Sequence, residues 1–312
     1  MSATRVSIVI PTRNGRVTLE PLLDAIAGQT GHYVCEIIGI DSGSTDGTVR
    51  LLESRGAIVI PIAAGAFNHG ATRNQALARV TSEFAVLMVQ DALPASSHWL
   101  SSLLHPLLED PQVAGSFARQ VSRPDATHLT SHYLSLWVAA RATPRTTGPL
   151  SRAAFDALAP AERLATCAFD NVCSCLRLSV WKDHRFNPTP IAEDLEWGMR
   201  VLLSGHKLAY VPDAAVWHSH ERSVTYELQR TYLVHQRLQS LFGLATVPTI
   251  PSLMRSIGAT LPLHAALAAR ESRGRGRALV KGAGLAIALP LGQYLGARSA
   301  REGRELLRTR GI

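Results

Sequence analysis

Ile37-Ile38-Gly39-Ile40-Asp41-Ser42-Gly43-Ser44-Thr45-Asp46-Gly47-Thr48 decides the fold. A short β-branched run closes on an acid, and small residues with side-chain oxygens then supply a turn and a helix N-cap. This is a strand handing over to a helix, with a carboxylate at the strand's carboxyl end. In an open α/β sheet those ends line the ligand crevice. The arrangement recurs where Asp91 closes Val86-Leu87-Met88-Val89-Gln90, and Glu193-Asp194 opens a later helical stretch. Carboxylates delivered repeatedly to such ends imply a site for a metal, a nucleotide and a proton transfer.

Outward from that stretch, strand and helix patterns alternate. Val6-Ser7-Ile8-Val9-Ile10, stopped by Pro11, reads as a buried parallel strand. Val17 to Gln29 carries Leu19, Leu22, Leu23 and Ile26 at helical spacing. A helix over 48–55, a strand over 57–60, a helix over 71–80, a strand over 84–90, a helix over 96–109 and a strand over 114–121 follow. The alternation predicts an α/β fold, a mostly parallel Rossmann-like sheet with helices on both faces. Residues 122–165 lose the pattern and read as an insertion over one edge of the sheet. It returns with Val172 to Leu178, a helix over 191–204 and a strand from Lys207 to Val211 before Pro212. The expected division is a domain over 1–222 and a helical region over 223–312.

Composition sets the limits. With 312 residues, 46% of them hydrophobic, the chain buries one good core and a smaller second one, which excludes disordered and fibrous classes. A net charge of +8 suits phosphate-rich ligands, nucleic acid or an anionic membrane. The basic run Arg273-Gly274-Arg275-Gly276-Arg277 lacks interleaved aromatics, and no recognition module is visible, so nucleic acid is set aside. The uncharged run from Gly282 to Ala297 has 16 residues, short of the ~20 that cross a bilayer. The expectation is a peripheral membrane or partner contact, against the plainer reading of a helical cap with a solvated basic face. Cys35, Cys167, Cys173 and Cys175 do not have zinc-knuckle spacing and read as reduced thiols. Met1 to Arg5 leads straight into a strand with no apolar leader, so a cytoplasmic location is expected, extending to the inner face of the plasma membrane.

Val6 to Asn14, the Asp41 to Thr48 turn, Gln90-Asp91-Ala92 and Ala192-Glu193-Asp194-Leu195-Glu196-Trp197 together resemble family 2 glycosyltransferases of the GT-A fold. Phe67-Asn68-His69-Gly70-Ala71-Thr72-Arg73-Asn74, with Gln-Asp-Ala in place of Asp-x-Asp, resembles the bacterial rhamnosyltransferase branch. The resemblance covers about residues 5 to 222.

It implies that Pro11, Thr12, Arg13 and Asp41 hold the nucleotide base, with Asp41 accepting an imide N–H. By the same resemblance Arg73 meets phosphate or ribose, Asn68 and His69 lie beside the sugar, and Asp91 binds the Mg2+ or Mn2+ that bridges the donor diphosphate. Val89 stands where the first acid of the motif belongs, and Gln90 replaces part of the lost contact. Asp194 is the implied catalytic base, and Glu193 orients its loop or meets the acceptor. Asn171 lies on an acceptor-side segment. His218 completes the metal site, with His220 as the second choice. Taken singly, Asp41 also reads as an Asx-turn acid, Arg73 as a surface ion pair and Glu193-Asp194 as acids favoured at a helix N-terminus.

The implied function is inverting transfer of L-rhamnose from dTDP-L-rhamnose to a hydroxyl of a cell-surface glycan or lipid-linked acceptor. The rivals are a UDP-sugar donor and a catalytically silent nucleotide-binding scaffold, the latter suggested by Val89.

Overall fold

A computed structural model describes residues 3–309. Met1 and Ser2, on which the reading of the amino terminus partly rests, lie outside the described residues, as do 310–312. The chain runs through β1 (Thr4–Thr12), α1 (Arg16–Ala27), β2 (Tyr33–Asp41), α2 (Thr48–Ser54), β3 (Ile58–Pro61), α3 (His69–Leu77), β4 (Phe84–Met88), β5 (Leu93–Pro94), α4 (Trp99–Glu109) and β6 (Val113–Val121). It continues with α5 (His128–Ser135), a 3-10 turn (Val138–Ala140), β7 (Arg145–Thr147), α6 (Arg152–Ala157), α7 (Pro160–Cys167), β8 (Cys173–Arg177), α8 (Leu178–Asp183), α9 (Glu193–Leu203) and β9 (Lys207–Trp217). Three helices close it: α10 (Val224–Phe242), α11 (Ile250–Ala269) and α12 (Arg275–Glu302). The described residues form two compact units. The first comprises residues up to Val121, Trp137–Ala157 and Thr166–His218, and the second Ser122–Leu136, Leu158–Ala165 and the chain from Ser219.

The first unit holds a nine-stranded sheet in the order β3-β2-β1-β4-β8-β6-β9-β5, with β7 also pairing β9. Strands β1, β2, β3, β4, β6 and β9 run one way; β5, β7 and β8 run the other. The apolar run Phe84–Met88 is buried along its whole length, as a central strand covered on both faces must be. Helix α1 packs Leu19, Leu22, Leu23 and Ile26 into this core, and α4 adds Trp99, Leu100, Leu103, Leu104 and Leu107.

The structure adds three features the sequence pattern did not carry. β8 is antiparallel to both neighbours, and an apolar run does not reveal its own direction. β9 passes through Pro212 instead of stopping before it. The pairing jumps from Ala118↔Val211 to Gln120↔Val216, so the residues around the proline bulge out and β9 continues beyond them. Within 122–165, Arg145–Thr147 joins the sheet on β9, while Ser122–Leu136 and Leu158–Ala165 belong to the second unit.

In the second unit, α12 lays a small-residue face on α10. A Cβ at Gly296 would sit 2.2 Å from the Tyr232 carbonyl oxygen, and one at Gly292 would sit 2.9 Å from that of Leu228, so only glycine allows this approach. Tyr232 and Ser299 share a hydrogen bond of 2.8 Å across the same contact. Leu129, Leu267 and Leu285 form a small core that joins α5, α11 and α12.

Candidate active site

All six parallel strands end along one edge of the sheet, and the antiparallel β8 begins there. In sheet order that edge carries Asp41, then Thr12 and Arg13, then Gln90 and Asp91, then Asp170 and Asn171, then Gln120, and last His218. Side chains far apart in sequence meet because each crossover returns the chain in the same direction.

Asp41 lies opposite Thr12 in register. Thr12 Oγ1 and Ser44 Oγ donate to its Oδ1 at 2.8 and 2.5 Å, and the Gly43 and Ser44 amides donate to Oδ2 at 3.0 and 2.8 Å. Burial opposes ionisation, but the Ser44, Thr12 and Gly43 donors outweigh it and hold the carboxyl below the usual carboxylate range. A carboxylate offers about four lone-pair sites, and here all four are taken. Asp41 therefore shapes the turn, and a base imide N–H reaches it only by displacing one of these donors.

Gln90 binds backbone. Its Oε1 accepts from the Arg13 amide at 3.0 Å and its Nε2 donates to the Arg13 carbonyl at 3.2 Å. A carboxamide matches a peptide's donor and acceptor together, so Gln90 pins the Pro11-Thr12-Arg13 segment and leaves the Arg13 side chain exposed. Val89, in the position of the missing acid, packs on the core.

Asn68 caps α3, its Oδ1 accepting from the Ala71 amide at 3.0 Å. One turn later Arg73 points inward. Its Nη1 lies 3.0 Å from Glu193 Oε1, with both side chains 4% exposed, and it also donates to the His69 carbonyl at 3.1 Å. Where the resemblance gave Arg73 to phosphate or ribose, the structure gives it a buried carboxylate that needs a counter-charge. His69 stands against Phe67 with ring centroids 4.9 Å apart, and its Nδ1 is 3.2 Å from Arg73 Nη1.

Ala192 adopts the left-handed conformation at φ 59°, which starts α9 with Glu193 and Asp194. Asn171 holds both acids. Its amide donates to Asp194 Oδ2 at 3.1 Å, and its Nδ2 donates to Glu193 Oε1 at 3.1 Å. Burial raises the pKa of Glu193, but Arg73, then His69 and Asn171, more than offset it and keep the carboxyl ionised below its ordinary range. Asp194 is pushed the other way. Burial first, then the charges of Glu193 and Asp170, raise it well above the usual carboxylate value. Adjacent carboxylates with opposed shifts define acid–base roles, and Asp194 is the more basic of the two.

On the far side of the edge, Asp91 Oδ1 lies 3.9 Å from His218 Nε2. His218 Nδ1 is 2.8 Å from Gln120 Oε1, and Gln120 Nε2 donates to Asp170 Oδ2 at 2.5 Å. Trp137 Nε1 donates to the same oxygen at 2.8 Å. As a carboxylate Asp170 only accepts, so Gln120 turns its NH2 towards Asp170 and its oxygen towards His218. A neutral His218 then carries its hydrogen on Nδ1 and directs its Nε2 lone pair towards Asp91. Two ligand atoms 3.9 Å apart can both reach one divalent ion at ~2.1 Å. A carboxylate oxygen with an oriented imidazole fits such an ion. His220 follows two residues along the chain, at the start of the second unit. Sequence reading missed Gln120 and Asp170. Asp170, immediately before the noted Asn171, was the available signal, whereas Gln120 lay inside a predicted strand.

All four cysteines are free. Burial pushes the Cys167 thiol up to about 12, so it stays protonated and inert.

A mostly parallel sheet with acids at its strand ends is that of the GT-A fold. Residues 7–160 match the family described as Glycosyl transferase family 2. The O-antigen chain rhamnosyltransferase RfbN of Salmonella typhimurium is 31% identical over 232 residues, covering 73% of this chain and 70% of that protein. WbaN of Salmonella anatum, also an O-antigen chain rhamnosyltransferase, is 30% identical over 230 residues, covering 72% and 70%. Among solved structures, the mannosyltransferase PcManGT from Pyrobaculum calidifontis, in complex with GDP-Man and Mn2+, superposes with a TM-score of 0.62 at 18% identity, covering 98% of this chain and 89% of that one. Glucosyl-3-phosphoglycerate synthase from Mycobacterium tuberculosis, in complex with Mn2+ and UDP, gives a TM-score of 0.55 at 20% identity, covering 77% and 81%. The chain belongs to glycosyltransferase family 2.

Proposed function

We propose that the chain transfers L-rhamnose from dTDP-L-rhamnose, with inversion, to a hydroxyl of a growing glycan carried on lipid at the cytoplasmic face of the plasma membrane. The observation that carries the chemistry is the opposed pair at the start of α9: Glu193 held ionised by Arg73, and Asp194 made basic by burial and its acidic neighbours. Asp194 takes the proton of the acceptor hydroxyl as its oxygen attacks the anomeric carbon opposite the departing diphosphate. Glu193 raises the basicity of Asp194, and Asn171 fixes both side chains. The donor assignment draws on the two rhamnosyltransferase relatives, each about 30% identical.

Asp91 and His218 would hold a divalent ion. When bound, that ion supplies charge neutralisation for the leaving nucleoside diphosphate. Imidazole favours Mn2+ over Mg2+ in this role. The Asp41 turn and the Gln90-pinned Pro11–Arg13 segment form the wall against which the nucleotide lies.

The test is donor binding and hydrolysis over dTDP-, UDP- and GDP-sugars with Mg2+ or Mn2+. Preference for dTDP-L-rhamnose supports the assignment. Preference for a UDP-sugar keeps the fold and the base but overturns the rhamnosyl reading, and binding without any turnover favours a silent scaffold.

A further inference from the structure

Helix α11 is largely exposed and its exposed side is apolar, while Ser252, Ser256, Thr260 and His264 line its more covered side. Twelve of its twenty residues face solvent, and eleven of those are Ile, Leu, Met, Pro, Ala or Gly, with Arg255 the exception. A surface helix ordinarily turns its apolar stripe to the core and its polar side to water, the reverse of this arrangement. Ile250, Met254 and Leu261 recur at i, i+4 and i+11, on one face, and Ile250 and Met254 are 60% and 64% exposed. On α12, Val280 is 77% exposed and Ile287, two turns on, is 47% exposed.

The charges around these side chains have one sign. Arg255, Arg270, Arg273, Arg275 and Arg277 are exposed, and none joins an ion pair among the described residues. The single acid between Ile250 and Arg301 is Glu271, which accepts from the His128 amide at 2.7 Å. Lys281 is occupied by Glu221 at 2.6 Å.

We propose that the exposed faces of α11 and α12 are a docking surface for an anionic lipid bilayer, lying in the plane of the headgroups. Apolar side chains enter the acyl boundary while the arginines meet lipid phosphates. A second copy of the chain fits less well, because a two-fold contact would set arginines against arginines. Crossing the bilayer is not the arrangement. α12 is the helix long and apolar enough to span among the described residues, but its Gly292 and Gly296 face is closed onto α10. The surface deepens the membrane location proposed above, and its test does not use the transferase reaction.

The experiment is co-sedimentation of the full chain with vesicles of phosphatidylcholine alone and of phosphatidylcholine with about one third phosphatidylglycerol. The expected result is partitioning at least about tenfold stronger onto the anionic vesicles, weakening with salt. Met254→Glu with Leu261→Glu, and separately Arg273→Ala with Arg275→Ala and Arg277→Ala, should each lower it about tenfold. All five side chains are exposed, so circular dichroism should match wild type, and Met254→Leu should bind normally. Failure of wild type to sediment with anionic vesicles overturns the proposal, as does unchanged binding by both variants. A dimer in sedimentation velocity that Met254→Glu abolishes also overturns it, by assigning the face to a second copy.

Discussion

Glu193→Gln tests how the two acids of α9 divide their work. The change keeps the shape and leaves an oxygen to accept from Asn171 Nδ2, but it removes the charge that Arg73 faces at 3.0 Å in a nearly water-free setting. Breaking a buried ion pair from one side costs about 3–5 kcal/mol. The lower end applies here, since Arg73 keeps its bonds to the His69 and Asn171 carbonyls. At about 2–4 °C per kcal/mol for a unit of this size, melting should fall by about 6–12 °C. A second effect follows from the same charge. Glu193 helps to raise Asp194, and a base works only when ionised, so wild-type activity rises with pH through the Asp194 titration. Removing the neighbouring charge lowers that pKa, and the acid limb of the kcat/KM profile must move to lower pH. Calorimetry and a pH–rate series for donor hydrolysis read the two effects independently. An acid limb that stays put or moves up, or a melting temperature within about 1 °C of wild type, would refute the reasoning.

Other variants probe the remaining parts of the edge. Gln120→Leu removes the acceptor that orients His218, and Mn2+ affinity, read by the resonance signal of the free ion in the presence of nucleoside diphosphate, should fall about 10–100-fold. Asp41→Asn can keep an oxygen on the Gly43 and Ser44 amides only by turning its NH2 towards the Thr12 and Ser44 hydroxyls, which must then accept. The loss of the charge-assisted bonds should cost about 1–2 kcal/mol in urea unfolding and weaken nucleotide binding. Because the Asp41 pKa is depressed by folding, its stabilisation is full above the unfolded carboxylate range and fades as pH drops through the folded value. The gap between wild type and Asp41→Asn should therefore narrow in acid. Gly198→Ala places a Cβ 2.4 Å from the Cys167 carbonyl oxygen, so α9 must shift; about 2 kcal/mol of stability and most of kcat should be lost together.

Much of this site was legible because chemistry sits at strand ends. Asp41, Asp91 and Asp194 each follow or precede a pattern break that places them at the edge, and His218 follows β9 in the same way. What each side chain touches was not legible. Arg73 and Glu193 are 120 positions apart, and only the packing of α3 on α9 makes them partners. Asn68 and Gln90 fall in motif positions, yet one caps a helix and the other holds a peptide, uses that ligand-centred reading does not separate. Gln120 and Asp170 escaped notice because their role depends on β8 running antiparallel, which brings Asp170 beside the end of β6. The exposed apolar surface was hidden in the sequence for a related reason. The uncharged run from Gly282 to Ala297 includes the face that packs on α10, while α11 is the helix left exposed; its polar Ser252, Ser256, Thr260 and His264 are on the more covered side, so periodicity points the wrong way.

The central claim is that Asp194 removes the acceptor proton in a rhamnosyl transfer, and Asp194→Asn with dTDP-L-rhamnose tests it most directly. Donor binding by calorimetry should stay within about twofold of wild type, while transfer falls by about 10²–10⁴. Transfer at wild-type rate by the variant, or loss of donor binding in parallel with loss of transfer, would contradict the account.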